Sequence, residues 1–398
     1  MRKNKIILIG IIIFIVSIIF VFCSKSDNFV EFQGETTIVT EVGDLGQVVK
    51  LISIKYDNAV YKKNIDPDTF EVNYQDLNGN NKARINKIYT SNSSEGEGSD
   101  KGNYVIIEVE EFLYSNNFEI KQCKDINNSN KEFNEVEIEK DNINTTKTLI
   151  VDDFKKEVFS DEDLGINLSY RLFEPEIEEN KKYPLVLFLH GSGECGNDNE
   201  RQLLSYRGAI VFADKYNKDK NPCYVIAPQL SMERQYEGWA DTKNQQTLVD
   251  LIKEYKNNPN VDEDRIYVTG LSMGGIGTWS IIEDNPDLFA AAIPICGVGD
   301  ISKVSKIKEM PIWAFHSEND TIVPVAGIFQ ISYGENQEKW NGTRDVVEAL
   351  KSVGSNKIKY TEYKKDSDEI KNLPMAHFSW VPTYKNQEVI DWLFEQKK

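Results

Sequence analysis

The stretch Arg265-Ile266-Tyr267-Val268-Thr269-Gly270-Leu271-Ser272-Met273-Gly274-Gly275-Ile276-Gly277-Thr278-Trp279-Ser280-Ile281-Ile282 decides the reading of this chain. Its first five residues have the pattern of a buried strand, and the run from Gly275 has the pattern of a helix that Asn285-Pro286 stops. Between them Gly270-Leu271-Ser272-Met273-Gly274 has the form G-x-S-x-G. A strand that turns at once into a helix forces its turn residue into strained backbone, and flanking glycines remove the side chains that would clash. The Ser272 hydroxyl then projects above the sheet. The following helix aims its free N–H groups and positive dipole end at the same spot, which favours a developing negative charge. A bare G-x-S-x-G also arises by chance as a Gly-rich turn; the strand before it and the helix after it give this one its meaning.

A serine hydroxyl is a weak nucleophile near neutral pH, so it needs a base to take its proton and an acid to fix the tautomer of that base. The chain has three histidines, His190, His316 and His377. Where a strand–Ser–helix corner carries the nucleophile, the chain order is Ser, acid, His, and only His377 leaves room downstream of Ser272 for an acid-bearing strand. Asp320, after the apolar run Pro311 to His316, is the best-placed acid; Glu318 is its nearest rival, with Asp300, Asp345, Asp366 and Asp368 further off. His316 sits on that run and reads as a hydrogen-bonded structural residue. His190-Gly191-Ser192-Gly193-Glu194 follows the apolar run Pro184 to Leu189, where the loop supplies one backbone N–H to an oxyanion hole. The residue after the nucleophile supplies the other, so Ser192 and Met273 are the expected donors. Glu194, Trp239 and Phe329 are the candidate substrate contacts, whereas core packing explains Trp279 at least as well.

Outward from this centre, apolar runs of strand length alternate with segments of helical period, the pattern of a mostly parallel sheet with crossover helices. Expected strands are Tyr183 to Leu189, Cys223 to Ala227, Arg265 to Thr269, Ala290 to Ile295, Pro311 to Phe315 and Ile358 to Tyr363. Expected helices are Asn244 to Tyr255, Gly275 to Glu283, Thr343 to Val353 and Gln387 to Gln396. Upstream, from Phe29 to Ile150, the pattern becomes short alternating stretches, among them Gln47 to Ile54, Tyr104 to Val109 and Glu135 to Glu139. These predict a small β-sandwich, with a turn at Asp76 to Asn80, a mobile loop at Thr90 to Asn103 and an irregular edge or linker over Lys124 to Lys147.

Met1 to Cys23 is a targeting pattern, with Arg2, Lys3 and Lys5 ahead of the apolar run Ile6 to Phe22. That run, roughly 17 residues at about 1.5 Å each, falls slightly short of a bilayer core of about 30 Å. Cys23 stands where a lipoprotein signal places its lipidated cysteine, although Phe22 departs from the small residue such signals prefer. Lipidation, a retained helical anchor and plain secretion stay open, and each places the rest of the chain outside the cytoplasm. The division is thus 1–23 signal or anchor, 29–150 β-sandwich and 154–398 catalytic domain.

Composition narrows the function. The chain has 398 residues, two or three domains' worth at about 150 each. Its net charge of −18 repels nucleic-acid phosphates and anionic lipid surfaces, so no nucleic-acid partner is expected and membrane contact is expected only through the N-terminal segment. Its five cysteines form no metal-ligand spacing with histidine, so neither a metal nor any other cofactor is implied. Cys195 and Cys223 lie in the exported part, where pairing is open to them, although nothing in the spacing demonstrates it.

The catalytic half resembles the α/β-hydrolase superfamily, and more narrowly the bacterial serine esterases related to poly(3-hydroxybutyrate) depolymerases and a group of "predicted peptidases". The resemblance rests on Tyr183 to Glu194, Ala227-Pro228-Gln229, Gly270 to Gly275, Pro311 to His316 with Asp320 and Val323-Pro324, and His377-Phe378-Ser379-Trp380, over about Phe154 to Lys398. The first half looks like the immunoglobulin-like domain that precedes some of these esterases, through Asp68 to Val72 and Gly102 to Ile106. The resemblance implies an α/β-hydrolase fold after an Ig-like domain. It also implies hydrolysis of a small or polymer-borne ester by Ser272, His377 and Asp320. Peptide hydrolysis by the same residues, or a surface-binding protein that has lost activity, are the alternatives. Two departures stand out: extra residues Ala326 to Gly342, including Phe329, Tyr333 and Trp340, and a long Asp366 to Pro374.

Overall fold

The computed structural model describes residues 35–114, 117–122, 136–139, 143–333 and 336–398. The targeting segment Met1 to Cys23 lies outside them, as does much of Lys124 to Lys147. Among the described residues, no helix is long and apolar enough to cross a membrane.

The first half forms two sheets. One has the strand order Thr145–Thr148, Glu35–Gly43, Gly46–Tyr61, Lys101–Leu113, Ile85–Ser91, Gly98–Ser99; the other has the order Gly79–Ala83, Phe70–Asp76, Phe118–Gln122, Val136–Glu139. Alternate residues of both sheets, including Ile52, Ile54 and Val105 from one and Val72, Phe118 and Ile120 from the other, form one buried cluster. That is the interior of a sandwich, with polar residues on the outer faces. The loop expected at Thr90 to Asn103 is a correction: Thr90 pairs with Ser99 and Val105, and Ser91 with Gly98 and Tyr104. The Ser- and Gly-rich composition that reads as mobility serves close strand approach instead, because a Cβ on Gly102 would lie 1.9 Å from Ser91 O.

The second half is built on an eight-stranded sheet. Its strands are β1 (Lys155–Asp161), β2 (Ile166–Phe173), β3 (Tyr183–Leu189), β4 (Tyr224–Gln229), β5 (Val261–Leu271), β6 (Ala291–Ile295), β7 (Ile312–Ser317) and β8 (Ile358–Tyr363), in the order β1-β2-β4-β3-β5-β6-β7-β8. Strand β2 runs antiparallel to β1 and β4; the remaining pairs are parallel. The inner parallel strands read as largely apolar runs because helices cover both faces, whereas β8 at the edge carries Lys359, Thr361 and Glu362. Leu185, Leu187 and Leu189 of β3 join one core with the inner faces of α1 (Thr242–Lys256), α2 (Met273–Asp284) and α3 (Thr343–Ser352). Val186 and Phe188 join the other, with α4 (Trp380–Lys385) and α5 (Gln387–Phe394). Asp241 caps α1 by accepting from the Lys243 and Asn244 amides. Cys195 and Cys223 are separate, buried free thiols.

A short linker joins the halves. Arg171 on β2 is buried, with no carboxylate partner among the described residues; its guanidinium donates to the carbonyls of Val151, Phe154 and Asn199, tying the linker to the sheet. Val42, on the first strand of the sandwich, is buried in the α4–α5 core. The extra segment after Pro324 forms a hairpin, Ile328–Tyr333 with Asn336–Gly342, whose second strand pairs with Val298–Gly299. Trp340 is buried there with Ile276, Val298 and Val323, and half-buried Phe329 packs against them.

Candidate active site

Strand β5 carries the chain to the middle of the sheet and stops at Leu271; α2 starts at Met273. Ser272 between them has φ 55° and ψ −118°, a left-handed geometry that a non-glycine residue adopts at a cost of about 1–3 kcal/mol. The surroundings hold it there: the Ser272 amide donates to Ile295 O at 3.0 Å and lies 3.2 Å from Cys296 Sγ. Gly274 is required by close approach, because a Cβ at that position would lie 1.9 Å from Leu189 O on β3. The corner therefore nests against the carboxyl ends of β3 and β6, with the Ser272 side chain left partly exposed.

His377 lies in a single turn just before α4, 6% exposed, its ring edge-on to Trp380. Its Nε2 is 2.9 Å from Ser272 Oγ and its Nδ1 is 2.6 Å from Asp320 Oδ2. An ionised carboxylate only accepts, so Nδ1 carries the hydrogen and Nε2 offers its lone pair to the serine hydroxyl. Asp320 follows β7. Its Oδ1 accepts from the amides of Ile322 and Val323 at 2.8 and 3.0 Å. Burial alone would raise this carboxyl, but hydrogen bonds from His316 and His377 reverse the balance and hold it well below the usual carboxylate range.

The loop after β3 comes to the same place. Ser192 begins a single turn, Ser192–Glu194, and its Oγ lies 3.5 Å from Met273 Sδ, so the two expected oxyanion donors are neighbours. The Met273 N–H opens α2 and is among those a helix leaves without an internal acceptor. His190 supports this loop from beneath. It accepts from the Leu230 amide through Nε2 and donates from Nδ1 to Gly191 O, and its burial lowers its pKa to about 4.

The three expected substrate contacts separate. Glu194 is nearly buried beside Gly191, and burial, opposed by the amides of Gly191 and Glu194, raises its pKa to about 7. Phe329 sits on the hairpin over the Asp320 loop. Trp239 is a correction: it is fully buried, its Nε1 donates to His190 O at 3.0 Å, and its Cβ packs closely on Gly277. That hydrogen bond ties it to the loop, and none of its surface is open to solvent. His316 is the feature the sequence left undervalued. It is fully buried with Nε2 3.2 Å from Asp320 Oδ2, and its place four residues before the acid was the available signal.

Comparison with known proteins agrees with this fold. Residues 35–155 match the family described as Esterase Ig-like N-terminal domain, and residues 232–324 match the Prolyl oligopeptidase family. A bifunctional acetylxylan esterase/xylanase of Neocallimastix patriciarum is 25% identical over 140 residues, which is 35% of this chain and 20% of that protein. Poly(3-hydroxyalkanoate) depolymerase C of Paucimonas lemoignei is 30% identical over 120 residues, 29% of this chain and 28% of that one. The matches thus span only a fifth to a third of these curated relatives. A crystal structure of a thermostable esterase is similar throughout, with 34% identity, a TM-score of 0.76, and coverage of 92% of this chain and 100% of that chain. On that likeness, together with the Ig-like match and the sheet order, the chain belongs to the α/β-hydrolase family of serine hydrolases that carry an esterase Ig-like N-terminal domain.

Proposed function

We propose that this protein is a serine carboxylesterase acting outside the cytoplasm on a small or polymer-borne ester. Ser272 Oγ attacks the carbonyl while His377 Nε2 takes its proton, Asp320 keeps the imidazole in the required tautomer, and the Ser192 and Met273 amides receive the oxyanion. Collapse of the tetrahedral species expels the alcohol, protonated by His377, and leaves an acyl group on Ser272. Water then repeats the sequence and frees the acid. No step calls for a cofactor. Export rests on the basic-then-apolar pattern of Met1 to Cys23.

The observation that carries the reading is the unbroken hydrogen-bonded series Ser272–His377–Asp320 at a strained corner. Ser272→Ala is expected to lower kcat for a p-nitrophenyl ester by about 10⁴-fold or more, leaving the residue of catalysis that binding and the oxyanion donors supply. Wild-type turnover in that variant overturns the reading. The match of residues 232–324 to the prolyl oligopeptidase family favours a second reading, peptide hydrolysis by the same residues. Matched ester and amide substrates of one acyl group separate the two.

A further inference from the structure

His316 faces the acid from the strand that delivers it. Its Nε2 lies 2.9 Å from Val323 O and 3.2 Å from Asp320 Oδ2. A carbonyl and an ionised carboxylate both only accept, so Nε2 carries a hydrogen shared between them. Its Nδ1 lies 2.9 Å from Thr343 Oγ1, which is in turn 2.9 Å from Gly297 O. The Thr343 hydroxyl has one hydrogen. Given to His316 it leaves Nδ1 bare; given to Gly297 O it leaves an oxygen lone pair for a protonated Nδ1. Under both arrangements the Nε2 hydrogen stays on the Asp320 side.

Asp320 Oδ2 is therefore claimed by two imidazoles, His377 at 2.6 Å and His316 at 3.2 Å, while Oδ1 takes two backbone amides. Val323 is gripped at both ends, its amide by Asp320 and its carbonyl by His316, which closes a ring and stops the carboxylate rotating. Among the described residues, Cys296, just past the end of β6, also faces Asp320. Burial first, and then the Asp320 charge, raise its thiol well above the ordinary value, so it stays neutral and competes for no proton.

Resting on the triad reading above, we propose that His316 is a positioning residue for the reaction. Through Asp320 Oδ2 it fixes the orientation of the carboxylate and reduces the negative charge that His377 meets. Each donor on a shared oxygen weakens that oxygen as an acceptor for the other.

With three histidines in the chain, the ¹⁵N imidazole spectrum of the full-length protein tests the geometry without any substrate. His316 is expected to be protonated at Nε2, and His190, whose Nε2 accepts from the Leu230 amide, is expected to be the opposite tautomer and serves as the internal control. A bare Nε2 on His316 overturns the proposal, whatever the protein hydrolyses. Two variants test the effect on turnover. His316→Leu removes the donor, whereas His316→Gln keeps an N–H there. In the Leu variant kcat is expected to fall by roughly 10-fold with KM within about 2-fold, and the acid limb of the pH–rate profile is expected to move up by about half a unit or more. The Gln variant is expected to recover most of kcat with its limb in the wild-type place. A folded Leu variant with an unmoved limb, or a Gln variant whose limb moves as far as that of Leu, overturns the proposal. The tautomer is read without turnover and Ser272→Ala is read by turnover, so the two readings fail separately.

Discussion

Two buried carboxyls outside the Ser272–His377–Asp320 series show how much a single side chain contributes. Glu194 ends the same turn that offers the Ser192 amide, and burial brings its titration to about 7. Below that pH it is neutral. Above it, a fixed negative charge develops close to where the oxyanion forms, which opposes the reaction. Glu194→Gln is accordingly expected to retain activity between about pH 7 and 9 where the wild type declines, seen as a flatter alkaline limb of kcat/KM. Glu283, at the far end of α2, is also buried; it accepts from the Asp300 amide through Oε1, and burial raises its carboxyl well above the ordinary value. Here the folded state holds a proton that the unfolded chain releases above about pH 4.5, so this group's contribution to stability falls as pH rises. Glu283→Gln is expected to flatten that slope, so urea denaturation should give the variant its largest advantage at alkaline pH. That Ser272, His377 and Asp320 meet was foreshadowed by the serine motif, the order of three histidines and the place of the acid after the run Pro311 to His316. The burial of Trp239 was not, since an aromatic residue in a loop reads the same whether it turns toward ligand or core.

At the scale of elements, what the sequence revealed follows what each strand buries. Strands β3, β4, β6 and β7 and the second half of β5 lie inside a two-faced layer, so their runs are largely apolar and easily read, whereas β8 is an edge strand that carries Lys359, Thr361 and Glu362. Strands β1 and β2 were missed. Lys155–Asp161 is an edge strand with charged residues at most positions, and Ile166–Phe173 alternates along an antiparallel ladder. The Ala326 to Gly342 insertion was visible as extra length, but its hairpin pairing depends on Val298–Gly299, a contact no local pattern records. The corner at Ser272 is the most constrained element. Gly274→Ala would place a methyl group within the Leu189 carbonyl, and is expected to cost about 3 kcal/mol or more of stability, with loss of ester turnover, checked by chemical denaturation and kcat together.

Across the whole molecule, the sandwich and the catalytic half meet where α4 follows the His377 turn. Asp44 pairs with Lys385 of α4, but both are half exposed, so the pair itself contributes about 1 kcal/mol at most. Val42 carries more of the contact, since it is buried in the same core as α4 and α5 and lines a cleft with Leu149, Ile150, Ile210 and Ala213. Val42→Asp places an unpaired charge in that core and is expected to cost about 2–4 kcal/mol and to lower Tm by several degrees, whereas Asp44→Ala should leave Tm nearly unchanged. If both variants melt like wild type, the junction is not an energetic unit.

The three side chains at the corner reach one another from β5, from beyond β7 and from the threshold of α4, so no fragment shorter than β5 through α4, half the strands of the sheet, brings them together. Covalent capture of Ser272 by a fluorophosphonate is thereby a gauge of completed assembly: in a refolding time course, labelling should return with the last cooperative phase and not with the first regain of circular dichroism.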